Sequence, residues 1–407
     1  MKVLHINCVY PQGSTGKITQ AIHRHLLCRG QDSLVIYGRG GRCEDPAAVR
    51  ICGDLPAKAN HALSRVTGLV YGGCHISTGR LIARIRREKP DIVHIQCING
   101  YFVNIYRLIS WLKEQGIRTV LTLHAEFMYT ANCGCAFDCE GWKHGCGHCP
   151  QLRQATESLF FDRTADSFEK MRKAFHGFGD RLRVVGVSDW LCGRAAQAPV
   201  LRDLRILRIH NGIDTSVFCP QDADTIRREL GIRANEKMVL WVTSGFTHAK
   251  GKDLFFDLVK RLDGGDYKFV IAGADRPSGD ETDVIYLGSV ADQTRLARIY
   301  SAADVTVCCS RQESYPTTLL ESQCCGTPVV GFRIGGVPET VFPGMGQTVP
   351  MGDIEAMAAA VAHWCGEESR ISAETREDCL RANDQRTMAD AYFQLYSTSW
   401  SEHDDSI

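Results

Sequence analysis

Residues 303–341 read ADVTVCCSRQESYPTTLLESQCCGTPVVGFRIGGVPETV. The run 305–308 is continuously apolar and β-rich, which predicts a strand covered on both faces. A polar loop follows. Pro316 suits the first turn of a helix, so a helix is expected to start at Pro316 or Thr317 and to cover 318–325. Residues 328–331 predict the next strand. Glu313 then sits in the loop at a strand's carboxyl end. Glu321, seven residues further on after the gap, falls about one turn into the helix. Backbone N–H groups at a helix start, here those of Thr317, Thr318 and Leu319, attract a diphosphate. A nearby carboxylate accepts hydrogen bonds from sugar or ribose hydroxyls.

The same alternation extends outward in both directions. Strands are expected at 3–8, 33–37, 92–95, 119–123 and 182–187, and again at 238–243, 268–272, 284–286, 305–308 and 328–331. Helical spacing fills 18–29, 77–88, 253–262, 294–301 and 387–396. Continuous apolar strands alternating with helices indicate parallel sheets covered on both sides. Two doubly wound α/β domains are expected, 1–205 and 206–385, with a closing helix and polar tail at 386–407. Ligands in such sheets sit at the carboxyl ends of the strands, and the cleft between two such domains is the default site.

The bulk numbers exclude some classes. Lys plus Arg and Asp plus Glu number 47 each, so the 407-residue chain has zero formal net charge and no polyanion-binding excess. This argues against a nucleic-acid module. No apolar run reaches the roughly 18 residues of a membrane span, and the start is too polar-broken for a secretory leader. A cytoplasmic location, with at most peripheral contact at the inner membrane face, is expected. Nineteen cysteines then sit in a reducing compartment. Those in apolar runs (Cys308, Cys309, Cys324 and Cys325) read as small buried hydrophobes.

Other motifs cluster at predicted strand ends. TSGFTHAKGKDL (243–254) places Lys250 after a strand, where it could neutralise phosphate. PQGSTGKIT (11–19) offers Gly13 and Gly16 for close backbone approach to a ligand, or for an ordinary strand-to-helix turn. A Walker A loop is excluded: Pro11 stands where glycine is required and Ile18 follows Lys17. TVLTLHAEFMYT (119–130) puts His124 at a strand end, as a structural or a ligand-contacting histidine. HNGIDTSVF (210–218) carries an Asn-Gly turn signal near the domain boundary. The insert 130–150 contains NCGCAFDCEGWKHGCGHCP. Cys133, Cys139, Cys146 and Cys149 either form a tetrahedral zinc site or are reduced thiols in a tight loop.

These motifs together resemble the GT-B retaining glycosyltransferases of family four (group 1). The match lies in the E-x7-E pair with its YSAAD, GTPVV and GGVPE surroundings, in N-G-I-D-x-x-x-F, and in the glycine-rich loop. The resemblance implies that Glu313 contacts the donor sugar, Glu321 holds the ribose, Lys250 meets the diphosphate, and Gly13, Gly16 and His124 face donor and acceptor. One departure stands out: Gly245 occupies the position of the usual basic partner, leaving Lys252, His248 or Arg311 to assist. INGYFVNIYRL (98–108) and the cysteine spacing resemble the colanic-acid and exopolysaccharide branch. The implied function is a retaining hexosyltransferase in bacterial polysaccharide or lipopolysaccharide biosynthesis. It would take a UDP- or GDP-sugar donor and a lipid-linked oligosaccharide acceptor, with no catalytic cofactor and at most a structural zinc. The alternative is a non-catalytic nucleotide-sugar or glycan binder on the same fold.

Overall fold

The computed structural model describes residues 1–264, 266–279, 282–366, 371–398 and 400. The acidic tail 401–407 lies outside them. The chain forms two compact units, residues 1–210 with the chain from 388 onward, and residues 211–387. The division falls at His210/Asn211, five residues beyond the position expected from sequence, and the final helix belongs to the first unit.

The first unit is built on seven strands: β1 (Lys2–Asn7), β2 (Asp32–Tyr37), β3 (Ala48–Arg50), β4 (Ile92–Ile95), β5 (Arg118–Leu123), β6 (Leu182–Gly186) and β7 (Ile206–Arg208). All pair in parallel, in the order β3-β2-β1-β4-β5-β6-β7. The chain steps to opposite sides of β1, so the switch point lies between β1 and β4. The helix Gly13–Cys28 turns Ile18, Ile22 and Leu26, each four residues apart, onto Val3, Ile92, Val120 and Val185. The helix Gln385–Ser397 adds Met388, Tyr392, Leu395 and Tyr396 to the same cluster.

The second unit holds β8 (Lys237–Val242), β9 (Tyr267–Ala272), β10 (Ile285–Tyr286), β11 (Val305–Cys308), β12 (Val329–Phe332) and β13 (Gly346–Val349). Their order is β10-β9-β8-β11-β12-β13, again all parallel, with the switch between β8 and β11. Val239, Trp241, Ile271, Val305, Val307 and Val330 meet Phe255 and Leu258 of the helix Lys252–Arg261 and Met357 and Val361 of the helix Ile354–Trp364 in one core. The sequence pattern did not predict β3, β7 or β13. These strands read AVR, ILR and GQTV, are half-covered, and lie at sheet edges where no continuous apolar run is needed.

The Tyr392 ring is fully buried and its hydroxyl lies 2.9 Å from Thr122 Oγ1 on β5. Tyr392→Ala should destabilise the chain by about 3–5 kcal/mol through the cavity it leaves. Tyr392→Phe should cost only about 1 kcal/mol through the lost hydrogen bond. Urea unfolding of both variants separates the two contributions, and equal effects would mean the ring is not a core element.

Candidate functional site

In the second unit the functional side chains converge at the switch point. β8 and β11 are neighbours, with Val239 opposite Val305 and Leu240 opposite Thr306. The loop after β8 and the loop after β11 are locked together beyond the strand ends. Arg311 N–H donates to the Ala249 carbonyl at 2.8 Å. A Cβ on Gly251 would stand 1.9 Å from the Cys309 carbonyl oxygen, and its φ of +69° also favours glycine. This close approach sets Lys250 beside Glu313: Lys250 Nζ lies 2.6 Å from Glu313 Oε1. Ser310 Oγ donates to the same oxygen at 2.7 Å. From the other side, Gly336 N–H donates to the Glu313 carbonyl at 2.9 Å. Gly335 passes so close that a Cβ there would lie 2.0 Å from that carbonyl oxygen. Glu313 is thus held through both its backbone and its carboxylate.

The helix Thr317–Cys324 begins directly after Pro316, whose ψ of 110° puts it at the cap, outside the helix. Pro316, as the cap residue, makes no side-chain cap hydrogen bond. The Leu319 N–H, expected to face a ligand, donates back to the Pro316 carbonyl at 3.2 Å, because the first turn is tightened. Glu321 is buried, 8% exposed, and its Oε2 accepts from the Tyr300 hydroxyl at 3.0 Å. Burial beside this carboxylate pushes the Tyr300 hydroxyl well above its ordinary range, so it stays a donor. Tyr300 belongs to the helix Gln293–Ala302, and no motif had singled it out.

The structure also shows how the basic groups around Gly245 are engaged. Gly245 has φ +119°, a conformation side chains rarely adopt, so this loop course itself disfavours a basic residue there. Arg311 forks onto Asp253, with Nη1 at 2.8 Å from Oδ1 and Nη2 on Oδ2. That pairing holds the Asp253 carboxyl down at about 2. Lys252 Nζ sits 5.0 Å from the Phe246 ring centre. Of the expected assistants, Arg311 is occupied by a carboxylate and Lys252 by aromatic faces.

In the first unit Gly13 starts its helix at φ +69°, and Gly16 is buried. A Cβ on Gly16 would meet the Val9 carbonyl oxygen at 3.1 Å, so the chain's own loop already uses this close approach. His124 follows β5 and its Nε2 lies 2.7 Å from Gln96 Oε1, just after β4. The amide oxygen can only accept, so Nε2 carries the proton and Nδ1 is the acceptor. Burial lowers the imidazole to about 4, leaving it neutral near pH 7. The relay continues inward. Gln96 Nε2 reaches His94 Nδ1 at 3.3 Å, Tyr396 donates to the same nitrogen at 2.6 Å, and His94 Nε2 meets Thr122 at 2.8 Å. Gln96 lay in no recognised motif, although its place one residue beyond a strand end is where ligand-facing groups collect.

The cysteine insert is organised by other chemistry. None of its cysteines is in a disulfide, and among the described residues no group of three His, Cys, Asp or Glu side chains is gathered as a metal cage. The expected zinc set is nevertheless mutually close: Cys133 interacts electrostatically with Cys146 and Cys149, and Cys146 with Cys139 and Cys149. Burial raises the Cys133 thiol to about 12 and Cys146 to about 11. A buried carboxylate, Glu126, ties the insert instead. Its Oε1 accepts from Arg194 Nε at 2.6 Å and from the Tyr129 hydroxyl at 2.5 Å, and its Oε2 accepts from Ala136 N–H at 2.6 Å. Arg194 also stacks on Trp142, which is fully buried within the insert.

Comparisons with known proteins agree with this architecture. Residues 17–217 match the family model described as Glycosyltransferase Family 4, and residues 236–366 match that described as Glycosyl transferases group 1. The D-inositol 3-phosphate glycosyltransferase of Mycobacterium marinum is 33% identical over 172 residues, 39% of this chain and 36% of that protein. The match thus spans about a third of that relative's length. The putative colanic acid biosynthesis glycosyl transferase WcaC of Escherichia coli is 23% identical over 375 residues, 86% of this chain and 87% of that protein. The solved structure of Anabaena Alr3699/HepE in complex with UDP and glucose superposes with a TM-score of 0.67 at 16% identity, covering 98% of this chain and all of that one. It shows the shared fold.

The buried histidines make the first unit sensitive to acid. Burial lowers His5 to about 3, His94 well below 6.5 and His124 to about 4. The unfolded chain therefore binds more protons below pH 6.5. Stability from these groups is complete above that value and is lost as pH falls toward the folded values. The loss should be about 1.4 kcal/mol per pH unit for each of the fully buried rings His5 and His94. A urea midpoint at pH 5.5 equal to that at pH 7.5, or an NMR midpoint for His124 near 6.5, would contradict this.

Proposed function

The chain belongs to the group 1, family 4 glycosyltransferases, and from that footing we propose that it is a retaining hexosyltransferase of polysaccharide biosynthesis. The donor is a UDP- or GDP-sugar bound by the second unit, and the acceptor is a lipid-linked oligosaccharide bound by the first. The single observation that supports this reading best is the Lys250–Glu313 contact across the β8/β11 switch point, beside the start of the helix Thr317–Cys324. A lysine has three donors, so Lys250 can keep Glu313 and still reach a phosphate oxygen.

In this reading Glu313 accepts from the sugar's hydroxyls, and Glu321 from the ribose. Thr317 and Thr318 present the helix start to the diphosphate. His124, neutral and with Nδ1 as acceptor, takes a hydrogen bond from a sugar hydroxyl. The acceptor oxygen forms a bond to the anomeric carbon as the bond to the diphosphate breaks. The acceptor proton passes to the departing phosphate, on the same face, so configuration is retained. Lys250 and the helix start stabilise the charge that develops on the leaving group. No step needs a metal or other cofactor. Anabaena Alr3699/HepE, whose fold this chain shares, was solved with UDP and glucose, which favours a nucleotide-sugar donor here. No described helix is long and apolar enough to cross a membrane, so a lipid-linked acceptor would be met at a membrane surface.

A second reading, a nucleotide-sugar binder without turnover, is favoured by one observation: position 245 carries glycine in place of a basic side chain. Release of nucleoside diphosphate by the pure chain with acceptor decides between the two. A matching UDP- or GDP-sugar should raise the melting temperature, since a ligand at about 100 times its Kd adds about 2.7 kcal/mol. Glu321→Ala should abolish most of that shift. Glu313→Ala should keep it while lowering kcat about a hundredfold, the scale of losing one preorganised electrostatic contact. Full activity in both variants would sink the site assignment.

A further inference from the structure

The helix Asp54–Thr67 is turned inside out. Its buried residues are Ala57 and Ser64, while Leu55, Ala59, Ala62, Leu63 and Val66 are all exposed. Those five positions follow helical spacing and make one apolar stripe on the solvent side, roughly 100° wide. Leu55 is 81% exposed. Lys58 and Arg65, seven residues apart, flank the stripe along one edge and are exposed as well.

Two neighbouring segments extend the patch. Leu159 N–H donates to the Arg65 carbonyl at 2.8 Å, and His61 Nε2 lies 2.9 Å from Glu157 Oε2. These contacts seat Leu159, Phe160 and Phe161 beside the end of the helix, with Phe160 69% exposed and Arg163 over the Phe161 ring. Asn60 Oδ1 accepts from Cys74 N–H at 3.2 Å, which brings up Ile76, 75% exposed, at the start of the helix His75–Glu88. Most of the exposed large hydrophobic side chains among the described residues lie on these three segments. A patch of this kind marks an interaction surface.

Charge selects the occupant. Residues 54–88 carry six Lys or Arg against two Asp or Glu, although the whole chain sums to zero. Glu157, beside the end of the helix, is engaged by His61 and Arg65, and Asp54 at its start accepts from Gly40 N–H at 3.2 Å. An apolar stripe edged by cations, on a helix whose own core face is small and polar, suits the boundary between lipid headgroups and acyl chains. We infer that this face docks the chain on an anionic lipid surface, with Leu55, Leu63, Val66, Ile76, Phe160 and Phe161 entering the acyl boundary. His61 stacks on Tyr101, Tyr101 on Tyr71, and Tyr71 meets Phe127 edge-on, three residues after His124. The docked face is thereby joined to the strand end carrying the proposed acceptor-side histidine. The placement deepens the lipid-linked acceptor reading and rests on it only for its purpose, since vesicle binding needs neither donor nor acceptor.

The test is cosedimentation of the full chain with vesicles of phosphatidylcholine alone or with added phosphatidylglycerol. Wild type should bind the anionic vesicles and release as salt rises. Leu55→Ser combined with Phe160→Ser should weaken binding at least about tenfold. Lys58→Glu should weaken it with the apolar stripe intact. All these side chains are exposed, so melting temperatures should be unchanged, as should diphosphate release with a detergent-dispersed acceptor. Wild type that binds neither vesicle would overturn the inference, as would a double variant that binds like wild type. So would light scattering that shows a wild-type dimer split by the double variant in the absence of vesicle binding. A chain that binds vesicles but turns over no nucleotide sugar would overturn the transferase reading alone.

Discussion

Lys250 and Glu313 stand 2.6 Å apart where β8 and β11 diverge, and the second unit is arranged to keep them there. Parallel strands point their carboxyl ends the same way, so the two loops emerge side by side only at the switch point. Gly251 and Gly335 then let the flanking backbone pass within distances a Cβ would forbid, against Cys309 and Glu313 respectively. The charged pair is therefore a product of topology plus two missing side chains. A lysine and a glutamate on flexible loops would gain little from pairing in water. Held by Ser310, by Gly336 and by the loop contact at Arg311, the pair is preorganised and requires no rearrangement to meet a polar ligand.

The same logic explains why the strand-loop-helix unit around Glu313 and Glu321 was legible in the sequence. The apolar runs of β8, β11 and β12 are continuous because both sheet faces are covered, and that pattern survives in one sequence. Glu313 and Glu321 are recognisable by their spacing on the strand-loop-helix unit those runs define. Tyr300 and Gln96 were not. Each acts through a contact between elements distant in sequence: Tyr300 from a helix onto Glu321, Gln96 from β4's end onto His124. Neither spacing nor composition encodes such a contact. The edge strands β3, β7 and β13 escaped for a related reason, since half-covered three- and four-residue strands need no apolar signature.

The cysteine insert shows an ordering contact that composition does not reveal. Five cysteines within 17 residues suggest a metal cage; the hydrogen bonds that order the insert here run through Glu126, and burial raises the Cys133, Cys146 and Cys149 thiols. A carboxylate buried between Arg194, Tyr129 and a backbone N–H is stable only when each oxygen is satisfied. Here both oxygens accept. Trp142, covered by Arg194, is buried beside this carboxylate's partner. The motif that carries the insert is thus Glu126 with Arg194, two residues beyond His124 on one side and on the helix Asp189–Gln197 on the other.

Electrostatics divides the labour between the two units. In the second, charges are retained and paired near the surface. In the first, His5 on β1, His94 on β4 and His124 just beyond β5 are kept neutral by burial, and the hydrogen bonds converge on His94: Tyr396 and Gln96 donate to it, and His124 donates to Gln96. Each link fixes the tautomer of the next, so His124 Nδ1 is an acceptor because Gln96 presents its oxygen, and Gln96 does so because its amide nitrogen faces His94. The C-terminal helix supplies the inner end of this chain through Tyr396. That helix closes on the first sheet, so Tyr396 near its end reaches His94 on β4, 302 residues earlier in the chain.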